Sequence, residues 1–175
     1  MQVHTGTSLT KEIIDQAKND GKAIVFKQAF PDTPSWVDII NLINNKINQD
    51  DLNVRPDVHF TKGHLHFWDR LTIGIDKVEQ YFDMKNIIEK LNSIHKSNTH
   101  DCMGMVSFTA YEKTTGKHTD PVDNFYWQLQ GEAKWSVNNT EYVLEAGDLI
   151  FNPAENIHEI TSLSPRAAIA ISYVP

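Results

Sequence analysis

The feature that most constrains this chain is the texture of its C-terminal half. From Cys102 onward, short apolar and β-branched runs alternate with turn residues. Met105–Tyr111, Asn124–Gln130, Ala133–Val137, Tyr142–Leu144, Leu149–Asn152, Ile157–Ser162 and Arg166–Tyr173 read as strands. Gly131, Asn138-Asn139 and Gly147-Asp148 punctuate them, and Lys113–Lys117, with Gly116, reads as a further turn. Strands this short, at this spacing, bury their apolar faces only by closing on one another, so the pattern predicts a sandwich or barrel.

The N-terminal half has a different texture. Ile13, Ile14 and Ala17 share one helical face, with Ser8 or Thr10 as the cap. Ala23–Phe26 reads as a short buried strand, broken by Pro31 and Pro34. Trp36, Ile39, Ile40, Leu42, Ile43 and Ile47 recur at the spacing of an amphipathic helix, capped by Ser35 or Thr33. Val58–Asp69 alternates like a strand, Ile75–Leu91 reads as helix broken near Tyr81–Asp83, and the polar stretch from Leu91 to Asp101 as a connector. At 175 residues the chain is expected to be one domain, mainly β. Residues 1–98 would be a helical elaboration and 99–175 the barrel core.

Composition narrows the function classes. A net charge of −7 without a dense Lys/Arg stripe argues against nucleic acid. No run of apolar residues is long enough for a membrane span. The N-terminus lacks the basic-then-apolar order of a secretory signal. Cys102, alone, precludes an internal disulfide or a cysteine-rich zinc site. These readings together suit a reducing cytoplasm.

The chemistry-bearing residues sit in the barrel half. In a strand, residues two apart face the same side, so His118 and Asp120 can grip one ion from one direction. His158 arrives at the start of a later strand. Two imidazoles and a carboxylate occupy one face of an octahedron and leave the other open, the arrangement suited to Fe(II).

What surrounds these residues carries a resemblance. Asn124 is followed seven residues later by Gly131, and Gly147-Asp148, Pro153 and His158 keep the spacing G-D-x4-P-x4-H. In this the chain resembles the cupin superfamily, whose barrel is a double-stranded β-helix, or jelly roll. Asp120 stands where many cupins have a second histidine, and Asn124 where they have glutamate. With Gln128, Gly131 and Trp135 following the His-x-Asp, the sequence is similar to the JmjC-like Fe(II)/2-oxoglutarate oxygenases. The resemblance implies His118, Asp120 and His158 as metal ligands and 2-oxoglutarate as cosubstrate.

Alternation places Asn124, Tyr126, Gln128 and Gln130 on the pocket face, and Phe125, Trp127 and Leu129 against the helices. A cosubstrate carboxylate needs a cation. The family's usual position for it holds Ala133 here, and the neighbouring Lys134 has outward parity unless the strand is bulged. Arg166, eight residues beyond His158, is the stronger candidate, because Ala168, Ala170 and Ser172 share its face and leave room for a ligand. Thr115 matches a position where relatives place a hydroxyl near the cosubstrate. His64 and His66 form a second His-x-His pair without a partner motif, and His4, His95 and His100 read as surface residues.

The function expected is a non-haem Fe(II)/2-oxoglutarate dioxygenase that hydroxylates a small molecule, an amino acid or a peptide side chain. A homodimer is compatible with this, and neither nucleic acid nor membrane is an expected partner. The alternatives are another metal-dependent cupin enzyme (a lyase, isomerase or cosubstrate-free dioxygenase) and a non-catalytic ligand-binding cupin.

Overall fold

The computed structural model describes residues 3–5, 9–48, 52–54, 65–68, 72–95 and 100–173, with 3–5, 52–54, 65–68 and 112–115 described by backbone alone. In chain order the elements are β1 (Val3–Thr5), α1 (Lys11–Asp20), β2 (Ile24–Lys27), α2 (Trp36–Asn48), β3 (Leu52–Val54), β4 (Leu65–Trp68), β5 (Thr72–Asp76), a 3-10 turn at Val78–Gln80, and α3 (Lys85–His95). Then follow β6 (His100–Ser107), β7 (Glu112–His118), β8 (Asp123–Gln130), β9 (Ala133–Val137), β10 (Thr140–Leu144), β11 (Leu149–Asn152), β12 (His158–Ser162) and β13 (Arg166–Tyr173).

The strands form two sheets. A large one runs β1-β2-β11-β8-β13-β6-β5-β4-β3, and a smaller one runs β10-β9-β12-β7. The pairing within the barrel half is antiparallel, and the two sheets face each other as a double-stranded β-helix. Burial shows which faces are covered. On β8, Asp123 through Leu129 are all buried, because the sheet is covered on both sides. On β9 and β12, buried residues alternate with partly exposed ones, because only one face of the small sheet is covered.

Two cores follow. Phe125, Trp127, Leu129, Phe151, Ile169 and Ile171 pack outward from the large sheet against Ile14, Ile39, Leu42 and Leu91 of the helices. Val25, Tyr126, Ile150 and Ala168 pack inward against Trp135, Val137, Leu144 and Ile160 of the small sheet. The helices supply only the apolar stripe the first core needs. Gly21 caps α1 in the left-handed region at φ 60°, and Ser35 caps α2 through a reciprocal pair with Asp38. No helix among the described residues is long and apolar enough to cross a membrane.

Several expectations need correction. Ile75 and Asp76 close strand β5 rather than start a helix, because Ile75 pairs with Gly104 and Asp76 with Met103 of β6, and α3 begins only at Lys85. Residues 113–117 belong to strand β7 rather than a turn, since β12 supplies a partner for this polar edge. The N-terminal half gives five strands to the large sheet as well as its helices. Gln130 leaves the pocket face: a register irregularity opposite Ala167 and Ala168 breaks the alternation, and its amide donates to Thr33 Oγ1 and Pro34 O. Of the strand expected over residues 58–69, Leu65–Trp68 is observed and the rest lies outside the described residues.

Two turns fix the geometry of the barrel. Gly131 (φ 70°) ends β8 so close to Pro165 that an added Cβ would meet its carbonyl oxygen at 2.0 Å. Only glycine fits there, and this approach sets the start of β13 and therefore Arg166. Asp148 is fully buried, accepting from Gln28 N, Glu145 N and Lys27 Nζ at 2.9, 2.8 and 2.6 Å. The Gly147-Asp148 pair thus ties β2 to the turn before β11, a structural duty.

Candidate metal centre

His118 is the last residue of β7, and His158 the first of β12, directly opposite it in the pairing register. Asp120 lies two residues beyond the end of β7, in a turn and not on the strand, held there by Glu155 N donating to its carbonyl at 2.8 Å. One ligand atom from each of His118, Asp120 and His158 lies within 4.8 Å of the others. His118 Nε2 is 3.7 Å from Asp120 Oδ1, and His158 Nε2 is 3.5 Å from Asp120 Oδ2. The edge of an octahedral face around a divalent ion is about 3 Å, so small rotations would close the triad on a metal.

The imidazoles are oriented for this. His118 Nδ1 lies 2.7 Å from Gly116 O and His158 Nδ1 lies 3.0 Å from Asn156 O. A carbonyl accepts only from a protonated nitrogen, so both rings carry hydrogen on Nδ1, which leaves Nε2, the nitrogen turned towards Asp120, as the one available to a metal. Trp135 stacks on His158 with ring planes 10° apart, and burial holds His158 below the usual imidazole range. The carboxylate is aimed as well: Asn124 Nδ2 donates to Asp120 Oδ2 at 2.6 Å, and Ser172 Oγ donates to Asn124 Oδ1 at 2.5 Å. The side chains of His118 and Asp120 are 39% and 33% exposed and that of His158 only 3%, so the triad opens to solvent on one side.

Behind the triad lies a cavity of about 200 Å³. Besides the triad, Asn124 and Ser172, its lining includes Met103, Met105, Val122, Tyr126, Trp135 and Ala170. Arg166 lies deeper, fully buried, donating from Nε to Ser162 Oγ at 3.0 Å and from Nη1 to the Tyr126 hydroxyl. Burial pulls its pKa down to about 10. Nearby, the Trp135 Nε1 hydrogen and the Gln128 Oε1 lone pairs are buried with no protein partner, an unusual state for interior polar atoms.

The other residues singled out in the sequence fall as follows. Gln128 is fully buried, its amide donating to Gln130 O at 2.8 Å, and it does not line the cavity. Lys134, the weaker of the two cosubstrate candidates, has the outward parity its position gives it: it pairs with Glu141 across the outer face of the small sheet at 2.9 Å and does not line the cavity. The side chains of Thr115 and His66, and the whole of His64, lie outside the described residues. His95 is not a surface residue. Its side chain is 8% exposed and its Nε2 donates to Asp123 at 2.8 Å. Neither His95 nor Asp123 stands in any sequence motif, and only the tertiary pairing brings them together. A larger open cleft of about 660 Å³ lies by Asp32, Asn41, Tyr81 and Trp127, separate from the triad.

Residues 104–174 match the family described as Cupin domain. The barrel is therefore a cupin domain, and its triad has the donor set of a mononuclear metal site. No curated protein matches the chain by sequence. Among solved structures the fold is similar to the X-ray structure of Escherichia coli ycfD, with a TM-score of 0.71 at 15% identity over 96% of this chain and 54% of that one. It is also similar to YcfD, a ribosomal oxygenase from Escherichia coli, in complex with cobalt and succinic acid, with a TM-score of 0.65 at 17% identity over 88% of this chain and 48% of that one. The complex of the same oxygenase with cobalt and 2-oxoglutarate gives 0.63, again at 17% identity and over 88% and 48% of the two chains. The chain thus spans about half the length of these structures.

Proposed function

We propose that this protein is an Fe(II)- and 2-oxoglutarate-dependent oxygenase that hydroxylates a small molecule or an amino-acid side chain. The observation that carries the reading is the pairing of an open-faced His118-Asp120-His158 triad with a cavity walled by Tyr126, behind which Arg166 stands. The donor set fits Fe(II), and the cobalt and 2-oxoglutarate in the similar ribosomal oxygenase fit the same chemistry.

His118, Asp120 and His158 would hold the metal, which when bound with 2-oxoglutarate supplies oxygen activation. Asn124 holds the Asp120 carboxylate through Oδ2 and so would orient it for a metal. The Tyr126 hydroxyl accepts from Arg166, which leaves its own proton free to point at a ligand carboxylate in the cavity. Arg166 reinforces that donor and supplies the compensating charge. Trp135, which lines the cavity, adds a buried donor at Nε1 that no protein group uses. Met103, Met105 and Val122 narrow the rest of the cavity and limit water beside the metal.

A second reading is favoured by one observation. Arg166 is not itself in the cavity wall but stands behind Tyr126. A metal-dependent cupin enzyme with no 2-oxoglutarate, such as a lyase or isomerase, needs no such anchor. Anaerobic titration of the Fe(II) protein with 2-oxoglutarate separates the two. The oxygenase reading requires a visible metal-to-ligand absorption band that saturates with 2-oxoglutarate, and its absence in a protein that holds iron would favour the second reading.

A further inference from the structure

The turn between β11 and β12, residues 153–157, supports two of the three triad residues. Glu155 N donates to Asp120 O at 2.8 Å, and Asn156 O accepts from His158 Nδ1 at 3.0 Å. The turn is strained: Glu155 sits at φ 64°, a left-handed conformation that an L side chain keeps only where its surroundings over-determine it. On one side Asn138 provides that hold, exchanging hydrogen bonds with Ile157 and donating to Asn156 Oδ1 at 2.7 Å.

On the other side the hold is Asp123. Its Oδ1 accepts from Ala154 N at 2.9 Å. Its Oδ2 accepts from His95 Nε2 at 2.8 Å and pairs with Lys18 Nζ at 2.6 Å. Burial pushes the Asp123 carboxyl up, but the His95 and Lys18 contacts outweigh it and hold the group well below the usual carboxylate range. His95 is fixed in turn against Tyr173, ring centroids 4.1 Å apart, and edge-on to Phe125 at 6.2 Å. One carboxylate therefore joins the last turns of α1 and α3, on the outer side of the large sheet, to the turn that carries the triad.

We propose that Asp123, anchored by Lys18 and His95, is a positioning residue for the metal centre: it clamps Ala154 so that Glu155 and Asn156 hold Asp120 and His158 at metal-binding distance. This rests on the metal reading of the triad but not on the identity of the cosubstrate or substrate. It also gives the N-terminal helices a role in the site that they never touch. Outer partners of metal ligands commonly change metal affinity by about 10–100-fold when removed.

Asp123→Asn is the informative change. An amide has one acceptor oxygen and no charge, so it can keep the Ala154 contact or the Lys18 contact but not both. The measurements are cobalt(II) affinity by calorimetry in the absence of any cosubstrate, and amide hydrogen exchange at residues 154–157 in the metal-free protein. Asp123→Asn should bind cobalt at least about tenfold more weakly and exchange faster at those amides. Ile43→Ala, which weakens α2, a helix that gives no residue to the clamp, should bind cobalt like the parent. Lys18→Met removes only the outer contact and should weaken cobalt about threefold, which keeps the test open if Asp123→Asn fails to fold. Parent-like cobalt affinity and exchange in Asp123→Asn or Lys18→Met would overturn the clamp alone, as would an equal loss in Ile43→Ala. A folded parent that binds no cobalt would overturn the metal reading and the clamp with it.

Discussion

Replacing Arg166 by methionine separates the needs of the ligand from the needs of the fold. Methionine keeps the unbranched stem that fills the space between Ser162 and Tyr126 and removes the guanidinium. Burial lowers the Arg166 pKa to about 10. At 1.36 kcal/mol per unit, holding this charge inside the barrel costs the folded state on the order of 3 kcal/mol. Because the folded pKa is the lower one, that cost is fully present below about pH 10 and is relieved as pH rises above it. Arg166→Met removes it, and against this stands the loss of the donors to Ser162 Oγ and the Tyr126 hydroxyl, about 1 kcal/mol each. Ligand-free Arg166→Met should therefore be as stable as the parent or slightly more so at neutral pH, as found when buried ions give way to apolar side chains. Binding should respond in the opposite sense. Arg166 acts through the Tyr126 hydroxyl, so losing the charge behind that donor costs about 1.5–3 kcal/mol, which raises the 2-oxoglutarate dissociation constant about tenfold or more. Urea denaturation gives the first quantity, and anaerobic titration of the Fe(II) form gives the second. A variant that loses several kcal/mol of stability yet binds 2-oxoglutarate like the parent would show that Arg166 is a structural residue, and the reasoning would fall.

Two further outcomes follow from the same contacts. Asp120→Ala should lose most metal affinity while the barrel still melts cooperatively, because Asp120 is partly exposed and packs in neither core, whereas His66→Ala should keep its metal content by elemental analysis. The Asp123 carboxyl is held below its ordinary value of 3.8, so the stability it contributes is present above that pH and is lost as pH falls below it. The acid limb of unfolding should accordingly be shallower in Asp123→Asn than in the parent, as followed by circular dichroism from pH 5 to pH 2.

The barrel was legible in the sequence because its signals are local. Alternation with period two sorts Phe125, Trp127 and Leu129 to the helix side and Tyr126 to the interior, and the structure has both arrangements. The same rule puts Arg166, Ala168, Ala170 and Ser172 on one face of β13, where Ala170 and Ser172 meet the cavity. It also turns Lys134 outward, to Glu141. Gly131 and the Gly147-Asp148 pair could be read as turns because each meets a backbone requirement within a few residues.

What the sequence left open depends on partners distant in the chain. Residues 72–76 and 112–118 are strands because β6 and β12 stand beside them, and composition alone does not reveal a partner. Gln130 follows the alternation until an irregularity opposite β13 turns it towards Thr33 and Pro34. Arg166 and Tyr126 lie forty residues apart, and their contact exists only once β8 and β13 pair. His95 stands in a polar stretch, yet the docking of α3 buries it against Tyr173 and aims it at Asp123. Residue types and their period determined which side chains could face the cavity. Long-range strand pairing and helix docking decided which of them meet, because hydrogen-bond partners and desolvation are properties of the packed neighbours and not of the local chain.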